Sequence, residues 1–224
     1  MKSWRDTAYA VVDVETTGLD VRRDEVLSIG IIDVIAGRVQ LSSALYRQIR
    51  PRAMPGPESV VIHGIRPKDA AEGEDPESAG REVISRLHGR VLAAHVAWIE
   101  RGFLGAWLGP LGFVVPKRFV DTEVLVHRAM TRPATGDNQR HISLHDAASS
   151  FGVPEHCRHH ALGDAVTAAQ LLVVAASRLS ADREASVSSL LDPPTPMSRL
   201  HQCLRGPASR RRLTGRATEE RDEE

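Results

Sequence analysis

The stretch VVDVETTG at residues 11 to 18 places two carboxylates, Asp13 and Glu15, two positions apart within an apolar run. In a β-strand the side chains at i and i+2 share a face, so these acids stand side by side. Like charges held that close on a strand that otherwise reads as buried repel and lose hydration, at a cost of several kcal/mol unless something positive sits between them. A basic side chain or a cation must fill that role. Two further acids interrupt apolar segments: Glu100, just past the strand-like VLAAHV, and Asp164, in the first turns of ALGDAVTAAQLL behind the triplet RHH at 158 to 160. Sites in α/β sheets form where strand ends and helix starts converge, so Asp13, Glu15, Glu100 and Asp164 can gather in one cluster. An oxygen-only cluster suits the hard ions Mg²⁺ or Mn²⁺, and two such ions about 4 Å apart are the usual device for in-line phosphoryl displacement.

The elements that must position these acids follow from periodicity. YAVVDVE (9 to 15), VLSIGIIDVIAG (26 to 37) and LSSALYRQIRP (41 to 51) are β-rich runs with short polar or Gly-containing connections, which predicts three neighbouring antiparallel strands. From Pro76 the spacing turns helical, with Val83, Ile84 and Leu87 on one face, and VLAAHV (91 to 96) completes a β-α-β unit. WIERGFLGAWL, DTEVLVHRAM and SLHDAASSFG read as further helices, and residues 161 to 180 form the longest one. A domain boundary is expected near 180, because residues 181–224 bring DPPTP, few large apolar side chains after Leu191, an Arg-rich stretch and an acidic end.

Composition bounds the function classes. Over 224 residues, Lys+Arg and Asp+Glu both number 29, so a nucleic-acid surface has to be local rather than a global excess of positive charge. Two dissimilar cysteines, Cys157 and Cys203, argue against a disulfide framework and fit a reducing compartment, with a cytoplasmic location as the expectation. No apolar stretch approaches the roughly 18 residues that a span requires, and the start MKSWRDTAYA lacks the apolar core of a signal peptide, so no membrane association is expected. His141, His145, His156 and Cys157 lie near His159 and His160 but have no C-x-x-C frame, which disfavours zinc.

Taken together, the motifs resemble the DnaQ-like (DEDDh) 3′–5′ exonucleases. VVDVETTGL resembles their first motif, VIHGI (61 to 65) the short HGI element after it, AHVAWIERGFL the second motif, and HHALGDA the third, H-x-A-x-x-D, in the right order over residues 9 to about 180. The resemblance implies an RNase H-like α/β fold, a mixed five-stranded sheet with helices on both faces. It implies Asp13 bridging both metals, Glu15 and Asp164 on the nucleophile-side metal, Glu100 in the place of the second-motif acid and His159 as general base. Periodicity alone would equally place His160, at i, i+4, on the face of Asp164. By the same resemblance Thr17 and Leu19 contact the terminal nucleotide, one holding the 3′-OH and the other packing on the base, with His63 flanking it. The expected reaction releases nucleoside 5′-monophosphates one at a time from the 3′ end of a nucleic acid.

The second motif commonly reads H-N-A-x-F-D in that family, whereas His95 is followed here by Val96, Ile99 and Glu100 at the Asn, Phe and Asp positions. An extra methylene shifts a carboxylate by about 1 Å, a displacement that can cost on the order of 100-fold in rate, so impaired or retuned catalysis is expected. The alternative class is a catalytically weakened or inactive module on the same fold that binds a nucleic-acid end or a protein. Within the tail, residues 199–216 hold six arginines and no acid and residues 219–224 five acids and one arginine, a profile suited to phosphates. A protein partner for residues 181–224 is suggested by the resemblance.

Overall fold

The computed structural model of the chain describes residues 2–130 and 141–191. Strands β1 (Tyr9–Thr16), β2 (Val26–Ile35) and β3 (Arg38–Gln48) form an antiparallel meander, as the three early runs predict. The β2–β3 turn is only two residues long, and Ala36 (φ 51°) and Gly37 (φ 67°) both take the positive φ that a tight hairpin needs. Beyond it lie the short helices α1 (Pro57–His63) and α2 (Pro67–Ala71), which the sequence reading left unassigned, and then α3 (Pro76–Leu87), started by an Asp75 carboxylate that accepts from the Ser78 N–H. Strand β4 (Val91–Ala94) runs parallel to β1, and α4 (Trp98–Leu108) follows it. A strand of two residues, β5 (Val120–Asp121), pairs parallel with β4 and leads into α5 (Thr122–Ala129). Helices α6 (Leu144–Phe151), α7 (Ala161–Leu179) and α8 (Val187–Leu190) complete the described chain. The sheet order is β3-β2-β1-β4-β5, a mixed five-stranded RNase H-like sheet.

Strand parity sorts the core into two layers. Tyr9, Val11, Ile32 and Val34 face α5, α6 and α7, while Ala10, Val12, Ile29 and Ile31 face α3 and α4. Helix α7 has the length and hydropathy to cross a bilayer, contrary to the expectation that no stretch approaches that length. Its apolar residues are spent on the sheet, with Leu171, Leu172, Ala175 and Ala176 fully buried against β1 and β2.

The domain also runs past the boundary expected at 180. The Trp4 N–H donates to the Ala185 carbonyl at 3.1 Å, Arg5 pairs with Glu184 at 2.6 Å, and Leu190 is completely buried. The short run Val187 to Leu191, with two serines inside it, carries too little hydrophobic signal to show in the sequence, yet burial of Leu190 contributes about 1.5–3 kcal/mol. Residues 181–191 of the tail expected at 181–224 thus pack on the domain, and residues 192–224 lie outside the described residues.

Candidate active site

Asp13 and Glu15 continue the row of Tyr9 and Val11, so both carboxylates emerge on the α7 side as β1 leaves the core. Gly30 lies opposite Asp13, and Ser28 opposite Glu15. A Cβ at Gly30 would come within 2.3 Å of the Ala161 and Leu162 backbone, so the missing side chain lets the first turn of α7 rest directly on the sheet. That contact brings Asp164 over the strand acids, and carboxylate oxygens of Asp13, Glu15 and Asp164 lie within 4.8 Å of one another. Among the described residues this is the only group of three or more potential metal ligands so assembled.

The segment before α7 is held as closely. A Cβ at Gly163 would meet the Cys157 carbonyl at 2.3 Å, so residues 157–160 fold back over the helix start. His159 adopts φ 55°, a conformation that non-Gly residues rarely take, and its backbone N–H donates to Asp164 Oδ2 at 3.0 Å. The imidazole of His159 is exposed and close enough to Asp164 and His63 to influence both electrostatically. His160 instead stacks on the Tyr46 ring of β3, centroids 4.5 Å apart. The two histidines that periodicity could not separate thus have different surroundings, and His159 is the one beside the acids.

Glu100 occupies the first turn of α4 and is 4% exposed. Its Oε2 is buried without a hydrogen-bond partner, it falls in no group of clustered ligands, and it senses the charges of Asp121 and Glu15. Asp121, which the sequence reading passed over, ends β5 and caps α5. Its carboxylate accepts from the N–H groups of Val96 (3.1 Å), Ala97 (2.9 Å) and Glu123 (3.0 Å), so it fixes the turn that launches the helix carrying Glu100. Within that turn Val96 sits at φ 61°, unusual for a β-branched side chain. His95 is a buried anchor, bridging Thr122 Oγ1 and the Ile142 carbonyl at 2.9 Å each.

Crowding of acids dominates the electrostatics. Burial, and then the charges of Glu100, Asp164 and Glu15, hold the Asp13 carboxyl well above the usual carboxylate range. Burial and then Asp164 push Glu15 up to about 7. Glu100 is raised well above its ordinary value, chiefly by burial, and burial raises Asp121 to about 6. Asp164 is also raised by burial, against the opposing hydrogen bond from His159.

The remaining expected residues line the end of β1. His63 closes α1, and its Nδ1 accepts from the Ile65 N–H at 3.0 Å, which leaves the ring proton on Nε2 when the ring is neutral. Burial and then the neighbouring His159 lower its pKa, favouring that neutral ring. The Thr17 hydroxyl donates to Asp24 Oδ1 and accepts from the Glu25 N–H, both at 3.0 Å, and so stiffens the turn after β1. Leu19, at the crest of that turn, is 66% exposed. Gly30, Gly163 and Asp121 were missed as site residues. The first two leave no periodic signal, and Asp121 shows only as a helix cap before Thr-Glu.

An RNase H-like sheet that gathers carboxylates where β1 meets the start of α7 defines a class of nuclease-like domains. The profile of the RNase T family, described as exonuclease, matches residues 10–172. The chain belongs to this family of DnaQ-like 3′–5′ exonucleases. It is 30% identical over 166 residues to a DNA polymerase III subunit epsilon-like protein of Rhodobacter capsulatus, covering 72% of this chain and 23% of that protein. Over 169 residues it is 27% identical to a PolC-type DNA polymerase III of Thermotoga maritima, covering 75% and 12%, respectively. The chain thus spans less than a quarter of the length of either relative. Exonuclease I of Methylocaldum szegediense superposes with a TM-score of 0.63 at 19% identity, over 77% of this chain and 41% of that one. E. coli exonuclease I in complex with a dA16 oligonucleotide does so with a TM-score of 0.63 at 15% identity and the same coverage.

Proposed function

We propose that the chain is a divalent-metal-dependent 3′–5′ exonuclease that removes nucleoside 5′-monophosphates from nucleic-acid 3′ ends. The observation that carries this reading is the convergence of Asp13, Glu15 and Asp164 within 4.8 Å, with Glu100 buried beside them and its Oε2 orphaned. Among the described residues none of the four acids forms an ion pair, and each is pushed toward protonation by burial, which fits a hard cation. Asp13, Glu15 and Asp164 would hold the ions, two Mg²⁺ or Mn²⁺ in this reading, with Glu100 reaching them directly or through water. When bound, such ions supply charge neutralisation and Lewis acidity toward a phosphoryl oxygen.

This chain's own residues supply the rest. The exposed turn at His159 offers an imidazole, the side chain type suited to accepting the proton of the attacking water. The bond from the His159 N–H to Asp164 ties the backbone that carries this ring to the acid cluster. The Nε2 of His63 is buried toward the Thr16 backbone, so this ring acts by packing beneath the end of β1, and Leu19 offers an exposed aliphatic surface to the terminal base. Thr17 acts through its backbone and the rigid turn, since its hydroxyl is engaged.

The names of the relatives and the oligonucleotide-bound neighbour make single-stranded DNA the first substrate to test. A cytoplasmic setting and a protein partner for residues 181–224 belong to the same reading. The test is release of 5′-mononucleotide from a 3′-labelled oligonucleotide in Mg²⁺ or Mn²⁺ by the wild type and by Asp13→Ala. Equal rates would refute it. Glu100 in place of the family's Asp favours, as a second reading, a weakened enzyme or a binder of nucleic-acid ends. Binding without nucleotide release in either metal would select the binder.

A further inference from the structure

The loop that carries His159 lies along the start of α7, and three contacts of its backbone hold it there. The His156 N–H donates to the Thr167 hydroxyl oxygen at 3.3 Å, and the His159 N–H to Asp164 Oδ2 at 3.0 Å. Between them Cys157 rests on Gly163, where an added Cβ would come within 2.3 Å of its carbonyl oxygen. Gly163 and Thr167 stand at i and i+4, so one face of the helix offers the loop both a notch and an acceptor. The Thr167 hydroxyl donates its own proton to the Gly163 carbonyl at 3.0 Å, which leaves its oxygen free to accept from His156. Thr167 is 1% exposed.

On its other side the loop meets α6, where Glu155 pairs with His145 in the first helical turn. Where loop, α6 and α7 meet there is a hollow of about 80 Å³, walled by Ser143, His145, Glu155, His159, Asp164 and Thr167. At about 30 Å³ per water it has room for two or three. Residues 154–160 are all exposed, so discrete ties, and not close packing, hold this segment. His159 needs such ties, because a φ of 55° in a residue other than glycine persists only where the surroundings impose it.

We propose that Thr167, together with the Glu155–His145 pair, positions the general base: the hydroxyl and the ion pair keep residues 155–159 on the backbone path that holds the His159 imidazole beside the acid cluster. This rests on the exonuclease reading, which gives His159 its proton to take. Thr167 and Glu155 are positioning residues, and Glu155 lies outside the group of clustered acids. A buried helix threonine that only satisfied its own hydroxyl would need no more than the Gly163 carbonyl. Here the same oxygen also takes the N–H of a residue outside the helix, three positions before the base. A methyl in its place leaves that N–H without its acceptor and crowds it, so the loop shifts over the hollow and carries the imidazole with it. A displacement of about 1 Å can cost on the order of 100-fold in rate.

The test uses the full chain with Thr167→Val, Thr167→Ser and Glu155→Ala, each alone and combined with His159→Ala. Nucleotide release from a 3′-labelled oligodeoxynucleotide in Mn²⁺ gives kcat and KM, melts with and without Mn²⁺ give the metal-induced shift, and amide hydrogen exchange in EDTA reads the loop. Thr167→Val and Glu155→Ala should each lower kcat by about 10- to 100-fold, with KM and the metal-induced rise in Tm unchanged, and Thr167→Ser, which keeps the oxygen, should recover most of the loss. In the His159→Ala background neither Thr167→Val nor Glu155→Ala should lower the residual rate further, because both act through that ring. The His156 and His159 amides should exchange about tenfold faster in Thr167→Val than in the wild type or Thr167→Ser. Unaltered kcat or unaltered amide exchange in Thr167→Val, a serine variant as slow as the valine one, or losses that persist in full without His159 would each overturn the proposal. Failure of the exonuclease reading looks different: the wild type releases no mononucleotide in either metal, while the amides still respond to Thr167→Val.

Discussion

Replacing Glu15 by Gln should stabilise the metal-free protein at alkaline pH, and the size of the effect follows from the crowded acids. Burial and Asp164 raise Glu15 from its ordinary 4.5 to about 7. A raised folded-state pKa means that the folded chain binds the proton more tightly than the unfolded chain. That contribution is fully present below about 4.5 and is lost as the pH rises through 7. Ionised at pH 8, Glu15 costs the fold about 3 kcal/mol, at about 1.4 kcal/mol per unit, and near pH 5.5 the cost shrinks to about 1 kcal/mol. For a domain of this size 1 kcal/mol moves Tm by about 2–4 °C, so Glu15→Gln in EDTA should melt about 6–12 °C above wild type at pH 8, and the gap should narrow toward pH 5.5.

A cation reverses the sign. Ligand at a hundred times its Kd stabilises by about 2.7 kcal/mol, and the wild type with Glu15 intact should gain more from Mn²⁺ than Glu15→Gln does. Metal affinity of the wild type should fall as pH drops through 7, because the ion and a proton compete for the same carboxylate. Thermal melts of both proteins, with EDTA and with Mn²⁺, at pH 5.5, 7 and 8 decide the matter. A variant that melts at or below wild type at pH 8 in EDTA would refute the argument that these acids are held together against their mutual repulsion.

Four further outcomes follow from the geometry. His159→Ala should lower kcat by about 10²–10⁴ with the fold retained, whereas His160→Ala should lose about 0.5–1.5 kcal/mol of stacking on Tyr46 and keep kcat within tenfold, as kinetics and melts of both would show. Gly30→Ala drives a Cβ into the α7 backbone and should cost 3 kcal/mol or more, roughly the upper end for overpacking, with nucleotide release reduced about 100-fold by displacement of Asp164; chemical denaturation and rate assays test it. Val96→Asn should stabilise by about 1 kcal/mol, because Asn tolerates positive φ and Val96 belongs to none of the apolar clusters, and a lower Tm would contradict it. Deletion after Leu191 should leave Tm unchanged, while deletion after Ser180 should lower it by removing Leu190 from the core.

Legibility tracked how local the determining physics is. Asp13 and Glu15 could be placed on one face from strand parity, and β1 to β3 and α7 from periodicity, since each signal lies within a few residues. The two-residue β5 carries too few residues for any period, and α1 and α2, of seven and five residues, do not exceed two turns of helix. Residues 181–191 look like tail because their main buried contribution is Leu190, and the segment is tied to distant parts of the chain, Lys2 and Trp4 at one end and Arg118 and Arg128 in the middle. Gly30 is no different from any strand glycine until a helix more than a hundred residues later is found resting on it.

The second motif shows why spacing to a family pattern is a weaker guide than burial. By pattern, Val96 and Glu100 are two departures that read as damage. In the fold Val96 still holds the left-handed turn that an Asn would adopt more readily, because Asp121, 25 residues away, grips its N–H and that of Ala97. The turn survives the loss of its preferred residue by relying on a carboxylate that the motif does not contain. Glu100, launched from that turn, is directed inward and buried with one oxygen unpaired, whereas a solvated helix glutamate would have turned toward water or toward Arg101. Burying a carboxylate without a partner costs several kcal/mol, a cost that a chain with no use for the group would shed by one mutation to Gln or Leu. On the proposed function, the departures read as a site rebuilt around a longer acid, with Asp121 bracing the turn that carries it.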